Sequence, residues 1–415
     1  MADDRCSSAW QLVKLSDLGE VNRGRSRHRP RYAEHLYGGP YPFIQTGDIR
    51  ESGGRITSYK QTYSEAGLAQ SRMWPAGTMC ITIAANIAET AILTFPACFP
   101  DSVVGFIADE SKCDVRFVEY VFRFLRRRIQ HEASGSVQDN INLATLERLQ
   151  FPLPDLSEQK AIAHILGTLD DKIELNRRMN ETLEAMARAV FKSWFVDFDP
   201  VRAKAEGRKT GLPKPIADLF PDSFEDSELG EVPKGWKWGR LDDLLVLQRG
   251  FDLPAAQRTP GPYPVFAAGG FHGTHSEFMA AGPGVVTGRS GVLGNVFFVH
   301  DDFWPLNTTL WVKEFRGSRP IHAFHLLGTM DFGIFNAGSA VPTLNRNHVH
   351  GLPAIVPPLA VIERFESVVR PVFRLRRDND DESTAITALR DALLPKLLSG
   401  EIRVANAERI VGRST

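Results

Sequence analysis

Between Asp155 and Phe195 the residues Ile162, Leu166, Leu169, Ile173, Asn176, Asn180, Leu183, Ala187, Val190 and Trp194 alternate spacings of 4 and 3. That is the a/d seam of a coiled coil. A second apolar row, Ile165, Met179, Met186 and Phe191, widens the stripe. The stretch has no proline and one glycine, Gly167, and Asp155 with Glu158 three residues on suits a capping box. A helix over 158–195 would be roughly 57 Å long at 1.5 Å per residue, well beyond an ordinary globular helix. Asparagine at two neighbouring seam positions fixes register in paired helices and weakens an ordinary core. The pattern therefore predicts a rod with a helical partner.

The same chain supplies that partner. Under a shift of 203 residues Gly135-Ser136 falls on Gly338-Ser339, Asn142 on Asn345, Leu149 on Leu352, Pro154 on Pro357 and Leu156 on Leu359. The seam continues as Phe365, Val369, Val372, Arg376, Asn379, Ser383, Ile386, Arg390, Leu393 and Leu397, with Asn176 falling on Asn379. Pro371 and Pro395 are expected to kink or end this second helix. Repeated architecture organises everything else.

Residues 10–152 read as short strands and turns with a few helices, one of them over Val115–His131. Trp10-x4-Leu15-x-Asp17-Leu18-x4-Arg23-Gly24 recurs as Trp236-x4-Leu241-x-Asp243-Leu244-x4-Arg249-Gly250, an offset of 226. Tyr41-Pro42-x4-Gly47 recurs as Tyr263-Pro264-x4-Gly269 at 222, and Phe99-Pro100 as Trp304-Pro305 at 205. The second copy is thus shorter, with its deletions expected in loops. Residues 200–235 are polar, charged and rich in Pro and Gly, as a linker is.

Composition narrows the class. Apolar content of 43% and charged content of 24% describe a globular chain with ample core. A net charge of −1 means that any nucleic-acid footprint must be local. Cys6, Cys80, Cys98 and Cys113 show no CxxC spacing and read as reduced thiols. The start lacks an apolar signal core, and no run approaches ~20 apolar residues, so a cytoplasmic protein without a membrane span is expected.

Four tracts, in this order and within a duplicated chain, carry a resemblance. They are Leu36-Tyr-Gly-Gly-Pro-Tyr-Pro-Phe-Ile-Gln-Thr-Gly-Asp-Ile49, Phe151-Pro-Leu-Pro-Asp-Leu-Ser-Glu-Gln-Lys160, Gly211-Leu-Pro-Lys-Pro-Ile-Ala-Asp-Leu-Phe-Pro-Asp-Ser-Phe-Glu-Asp-Ser-Glu-Leu-Gly230 and Leu393-Leu-Pro-Lys-Leu-Leu-Ser-Gly-Glu-Ile402. Over nearly its whole length the chain resembles the specificity (S) subunit of type I restriction-modification systems, which serve phage defence. The resemblance implies an α+β fold with a pseudo-two-fold internal repeat. Two similar mixed α/β target recognition domains are separated by two long antiparallel coiled-coil helices. The expected boundaries are 1–152 for recognition domain 1, 153–199 for spacer helix 1, 200–235 for the linker, 236–356 for recognition domain 2, 357–402 for spacer helix 2 and 403–415 for a tail. It also implies double-stranded DNA, two modification (methyltransferase) subunits and restriction (translocase/nuclease) subunits as partners. No cofactor is expected in this chain; S-adenosylmethionine belongs to the modification subunit.

The strongest local signal for DNA is Arg23-Gly-Arg-Ser-Arg-His-Arg-Pro-Arg31. Arg23, Arg25, Arg27, Arg29 and Arg31 alternate with other residues, His28 among them, and no acid interrupts them. Alternation puts them on one face if the segment is extended, and arginine serves both phosphate contact and guanine reading. Gln45, Thr46 and Asp48 read either as base-edge readers or as strand-end turn residues. In the second copy the candidates are Gln257, Arg258, His272, His275 and Arg289. Arg126, Arg127 and Arg128 suit surface or phosphate contact. The seam residues named above, with Phe191, Trp194 and Phe195 at the end of the rod, are candidates for helix pairing and partner docking.

Enzyme signatures are missing. No Asp/Asn-Pro-Pro-Tyr/Phe tetrapeptide is present. Pro154-Asp155-x2-Glu158-Gln159-Lys160 imitates a nuclease motif, but its halves are too close to come from separate strands, and a capping box explains it better. Gly207-Arg-Lys-Thr210 lacks the phosphate loop's Gly-Lys pair. His322-x2-His325 has no third ligand nearby. These patterns point to a non-catalytic DNA-reading subunit, with a methyltransferase or nuclease of unrecognised catalytic residues as the alternative.

Overall fold

The computed structural model describes residues 10–28, 30, 32–84, 86–134, 143–227, 229–335 and 343–412. Gly135-Ser136, Asn142 and Gly338-Ser339 of the repeat lie outside these, as do Arg29 and Arg31. The chain divides into two compact units, 1–176 with 380–415, and 177–379. The division falls inside both long helices, so each unit holds one recognition fold and a segment of each helix.

In the first unit five strands lie in the order Gly19–Arg23, Val103–Ala108, Met79–Thr82, Thr90–Leu93, Arg55–Ile56. All neighbours are antiparallel except the last pair. Met79–Thr82 is buried at every position, as a central strand covered on both faces must be. Tyr37–Phe43 pairs with Gln61–Tyr63, and Gln11–Lys14 with Gln150–Leu153, which closes the recognition fold at the foot of the first long helix. The helix Val115–Ser134 buries Phe117, Val118, Val121 and Phe122 in a core shared with Ile162, Ile165, Leu166 and Leu169 of the first long helix and Ile386, Leu393 and Leu397 of the second.

In the second unit the four strands Leu245–Arg249, Thr309–Phe315, Gly284–Gly288 and Val296–Val299 repeat the order of the first four strands above. Lys237–Arg240 pairs with Pro353–Val356 as Gln11–Lys14 pairs with Gln150–Leu153. The shortening of this copy is not confined to loops. Between 43 and 79 the first copy carries the helix Thr46–Glu51 and the edge strand Arg55–Ile56, and the second sheet has no counterpart of that edge strand among the described residues.

The long helices run over Leu156–Phe195 and Leu359–Leu398, 40 residues each. Asp155 caps the first, its carboxylate accepting from the Glu158 amide at 2.9 Å. The second runs on through both prolines. Pro371 sits on the exposed face, where the carbonyl it leaves unpaired can turn to water, and Pro395 falls in the last turn. In the first unit Asn176 donates to Glu382 at 2.7 Å and Ser383 at 3.2 Å, and Lys172 pairs with Glu382 at 3.1 Å. In the second unit Asn180 donates to the Arg376 carbonyl at 3.2 Å, and Asn379 donates to Asn180 at 2.8 Å. Ascending numbers in one helix meet descending numbers in the other, so the pairing is antiparallel. The seam asparagines are satisfied by one another and by polar neighbours, the condition for tolerating them in a buried seam.

Two further expectations change. Phe191, Trp194 and Phe195 are not docking residues: they are buried among Phe198, Ile216, Phe220, Trp236 and Phe365 of the same unit. Part of that cover comes from 200–235, which is therefore folded onto the helix and not a free linker; its Val201, Ile216, Phe220 and Val232 are buried. Phe198 takes the left-handed conformation (φ 56°) that usually belongs to glycine. Its burial against Phe224 and Trp236 offsets the strain. Of the other seam residues, Ile162, Leu166, Leu169, Phe365, Val369, Ile386, Leu393 and Leu397 are buried, with Ile173, Leu183, Val190 and Val372 partly so.

Candidate nucleic-acid interface

The Arg tract leaves the sheet at a glycine that the packing demands. A side chain on Gly24 would start 2.3 Å from the Pro100 carbonyl oxygen and 2.5 Å from that of Phe99. Gly250 is in the same position in the second copy, 2.2 Å from the Leu306 oxygen and 2.5 Å from that of Pro305. Both amides bond back to the neighbouring strand or its lead-in, Gly24 to Val103 at 2.8 Å and Gly250 to Thr309 at 3.1 Å. The Arg-Gly pair thus marks one turn built twice.

Beyond Gly24 the first copy's loop is pinned. The Arg25 amide donates to Phe99 at 3.2 Å, and the Ser71 hydroxyl donates to the Arg25 carbonyl at 2.9 Å. The Gln70 side-chain oxygen accepts from the amides of Arg27 at 2.5 Å and His28 at 3.0 Å. Arg23, Arg25 and Arg27 are exposed while Gly24 and Ser26 are buried, which is the one-sided alternation expected for this stretch. Arg23 folds back to the Asp101 carbonyl at 3.1 Å. His28 is half-buried, edge-on to His35 at 4.9 Å. Nearby, Arg72 lies 4.0 Å over Trp74 and pairs with Glu20 at 2.7 Å; that bond holds the Glu20 carboxyl below its usual range. Burial pushes the Tyr63 hydroxyl up to about 12, where it sits under the loop beside Ser26 and Gln70. Sequence reasoning missed Gln70, because a glutamine that holds a loop 43 positions away has no local signature.

Gln45, Thr46 and Asp48 sit at the start of the helix Thr46–Glu51. Asp48 accepts from the Gln45 amide at 2.8 Å and the Gln45 side chain donates to Gln61 at 2.6 Å. Of the two readings, the turn and cap role is the one the geometry carries for Asp48, whose carboxylate is committed to its own helix. Of the arginines on the helix Val115–Ser134, Arg126 is tied to Glu89, and Arg127 and Arg128 are on its exposed side.

In the second copy Gln257 is exposed, and Arg258 donates to the His272 carbonyl at 2.9 Å with its ring nitrogen at 2.8 Å. His272 is exposed beside Phe271, which is 65% exposed. Arg289 donates its guanidinium to the Asn307 carbonyl at 3.4 Å and its amide to the Thr308 carbonyl at 2.8 Å. His275 cannot serve at a surface. It is 6% exposed, accepts from the Thr259 amide at 3.2 Å and lies edge-on to Trp304 at 5.2 Å. It occupies the place of Tyr63 in the first copy: Gly261 packs on His275 and Ser276 as Gly39 packs on Tyr63 and Ser64.

Among the described residues no three His, Cys, Asp or Glu side chains gather as a metal site. His322 and His325 are core residues, and burial lowers them to about 3 and about 4. Cys80, Cys98 and Cys113 are buried free thiols, all raised by burial. No helix among the described residues is long and apolar enough to cross a membrane.

Residues 7–185 match the model of the type I restriction modification DNA specificity domain. The type I restriction enzyme MjaIX specificity subunit of Methanocaldococcus jannaschii is 24% identical over 95% of this chain and 94% of its own. The first half of the chain thus carries a type I DNA specificity domain, and the chain is similar over nearly its whole length to a type I specificity subunit. The HindI specificity subunit of Haemophilus influenzae is 26% identical over 72% of this chain and 80% of its own. The crystal structure of a type I restriction-modification S subunit from M. genitalium has the same fold, with a TM-score of 0.58 at 16% identity over 94% of this chain and 97% of that one.

Proposed function

We propose that this chain is the DNA-sequence-recognition subunit of a type I restriction-modification complex. It binds a bipartite, asymmetric double-stranded target, one recognition domain to each half-site. The observation that carries this reading is the pinned Arg25–Arg27 loop, on one of two copies of a single fold whose exposed turns differ in chemistry. A duplicated reader with unlike surfaces fits unlike half-sites. The antiparallel helices, roughly 60 Å each for 40 residues, are long enough to space half-sites one DNA turn apart, ~34–36 Å.

Two modification subunits and the restriction subunits assemble on this scaffold. The modification subunits hold S-adenosylmethionine and carry out adenine methylation in the cytoplasm. Met179, Met186, Val368 and Leu375 of the second unit's helix segments are exposed and suit such contacts better than the buried Phe191, Trp194 and Phe195, since exposed apolar area marks an interface. The test is methylome sequencing of cells with and without the gene, beside the purified chain given DNA and S-adenosylmethionine. A split motif that depends on the gene is expected, with no methyl transfer by the chain alone. Transfer by the isolated chain would establish the enzyme alternative instead.

A further inference from the structure

In the first unit one carboxylate joins three elements. Asp170, on the first long helix, accepts from the Tyr120 hydroxyl at 2.7 Å and from Arg123 at 3.1 Å, both on the recognition-domain helix. Its other oxygen accepts from Arg390 of the second long helix at 2.7 Å. Arg123 also pairs with Glu119 at 2.5 Å and donates to the Gly53 carbonyl at 3.0 Å. Glu119 in turn accepts from Thr90, on the sheet, at 2.9 Å. Gly54 makes room for the guanidinium, since a side chain there would start 1.6 Å from it.

The Asp170 side chain is only 11% exposed and the Glu119 side chain 3%. Two carboxylates and two guanidiniums balance, with Asp391 on the outer side of Arg390 at 2.7 Å. The hub adds to the apolar packing of Phe117, Val118 and Val121 with Ile162, Leu166 and Leu169 at the same junction. Its bonds are directional, and networks of this kind fix one arrangement where an apolar contact tolerates several.

We propose that Asp170 is the positioning residue that sets the angle of the first recognition domain on the helix pair, and through it the spacing tolerated between the half-sites. This rests on the reading of the chain as a specificity subunit. The Arg25–Arg27 loop is pinned by Gln70 and Ser71 and not by this group, so only spacing should respond. With the carboxylate gone, the domain rocks on its apolar contacts and reaches half-sites one base pair nearer or farther.

The full chain is co-expressed with a modification subunit on a DNA library with fixed half-sites and variable gaps, and methylation is read by sequencing. In Asp170→Asn, methylation at gaps one base pair off the wild-type length should rise about fivefold relative to the preferred gap, within the range of coupling found in such networks. The half-site bases should be unchanged. Tyr120→Phe, which removes one donor from a covered phenol, should shift the profile the same way by less. A uniform loss at all gaps, or an unchanged gap profile in an active variant, overturns the proposal. If Asp170→Asn does not fold, Tyr120→Phe alone decides, by the same two outcomes. A wild-type protein that supports no split motif would instead overturn the underlying functional reading.

Discussion

The two recognition folds share a strand order, yet they meet the long helices through different chemistry. In the first unit the polar part of the junction is ionic: Glu119, Arg123, Asp170 and Arg390 form one charge-balanced group. In the second unit the buried part is mainly aromatic, and the ion pairs of Arg319 with Glu363 at 2.6 Å and Arg377 with Asp301 at 2.9 Å lie at its more exposed edge. His322 and His325 of the helix Pro320–Gly328 lie against Phe191, Phe195, Phe365 and Phe373, with ring centres 4.8–6.4 Å apart. Glu366 is the buried carboxylate there, and it accepts the free amides of Ile321 at 2.6 Å and His322 at 2.9 Å, at the start of that helix. The pair teaches that the repeat preserves the contact but not its means. A helix can be fixed by directional charge or held by shape, and the two choices answer differently to mutation and to pH.

The largest effect should come from breaking the ionic junction at its centre. Arg123→Ala leaves Glu119 buried without its partner and Asp170 with one fewer donor. Removing one member of a buried pair costs about 3–5 kcal/mol. Burial works against the Arg123 charge, but Glu119 and Asp170 more than offset that and raise its pKa, so this guanidinium is a fixed cation. Urea unfolding of the full chain should show the loss in the transition that reports the first unit. Phe365→Ala in the second unit removes a fully buried ring and should cost a similar ~3–5 kcal/mol. Its loss should fall in the other transition.

Next in size is acid. His322 is held to about 3 and His325 to about 4, burial being the first cause; His325 adds to it for His322, and Arg188 and Arg376 for His325. Both are neutral in the folded state but titrate near 6.5 when unfolded. Below that value the unfolded chain binds more protons, so stability falls as pH drops from about 6.5 toward 4, by roughly 1.4 kcal/mol per pH unit for each ring. Ser318, 2.8 Å from His322, accommodates the neutral ring. Glu366 acts the other way, since burial raises its pKa and folding then gains protons as pH falls. In the first unit Glu119 is likewise raised by burial, and no buried histidine opposes it among that junction's residues. The second unit should therefore soften first between pH 6.5 and 4.5, followed by tryptophan fluorescence. His322→Phe should flatten that slope; an equal slope in the variant would mean other groups carry the acid response.

What could be read beforehand follows from the range of each signal. The rods were legible because a 4-3 apolar spacing and paired asparagines are local and repeat for 40 residues. The recurrence of Arg23-Gly24 at Arg249-Gly250 was legible for the same reason. The junctions were not: Asp170 meets Tyr120 and Arg123 across 50 and 47 positions, and nothing periodic links them. Apolar residues at the end of a rod look alike in sequence whether the chain covers them itself or leaves them to a partner, which is why Phe191, Trp194 and Phe195 were misread. The cover, 200–235, hides Ile216 and Phe220 in polar surroundings. His275 was misplaced because the irregular register between Pro264 and Phe266 obscures which face of the strand looks inward.

At the reading surface the comparison can be sharpened by charge. Only the first copy carries a pinned run of exposed arginines among the described residues. Arg25→Ala with Arg27→Ala should weaken binding and lower the salt slope by about two, each phosphate contact adding nearly one. If one of them reads guanine, changing that base should cost ~1–3 kcal/mol in the wild type and less in the variant. Changes confined to the second half-site would assign the tract to the other end of the target.

The smallest energetic effect is also the most geometric. Four residues added to each long helix, after Arg177 and after Asp380, keep the two seams in step. They leave Asn176 with Glu382 and Ser383, and Asn180 with Asn379. The rod gains ~6 Å and a little more than one turn of 3.6 residues, so each face is nearly restored. DNA rises 3.4 Å per base pair along a strand, and the preferred gap should lengthen by one or two base pairs. Three residues in each should do worse, because they leave one domain turned by roughly 60°. Neither insertion touches the Asp170 hub or the aromatic cage, so the half-site bases should stay as they are. Methylation across variable gaps reads the result. An active insert with the original gap would mean that the helices do not measure distance, and a change in half-site bases would mean that they do more than measure it.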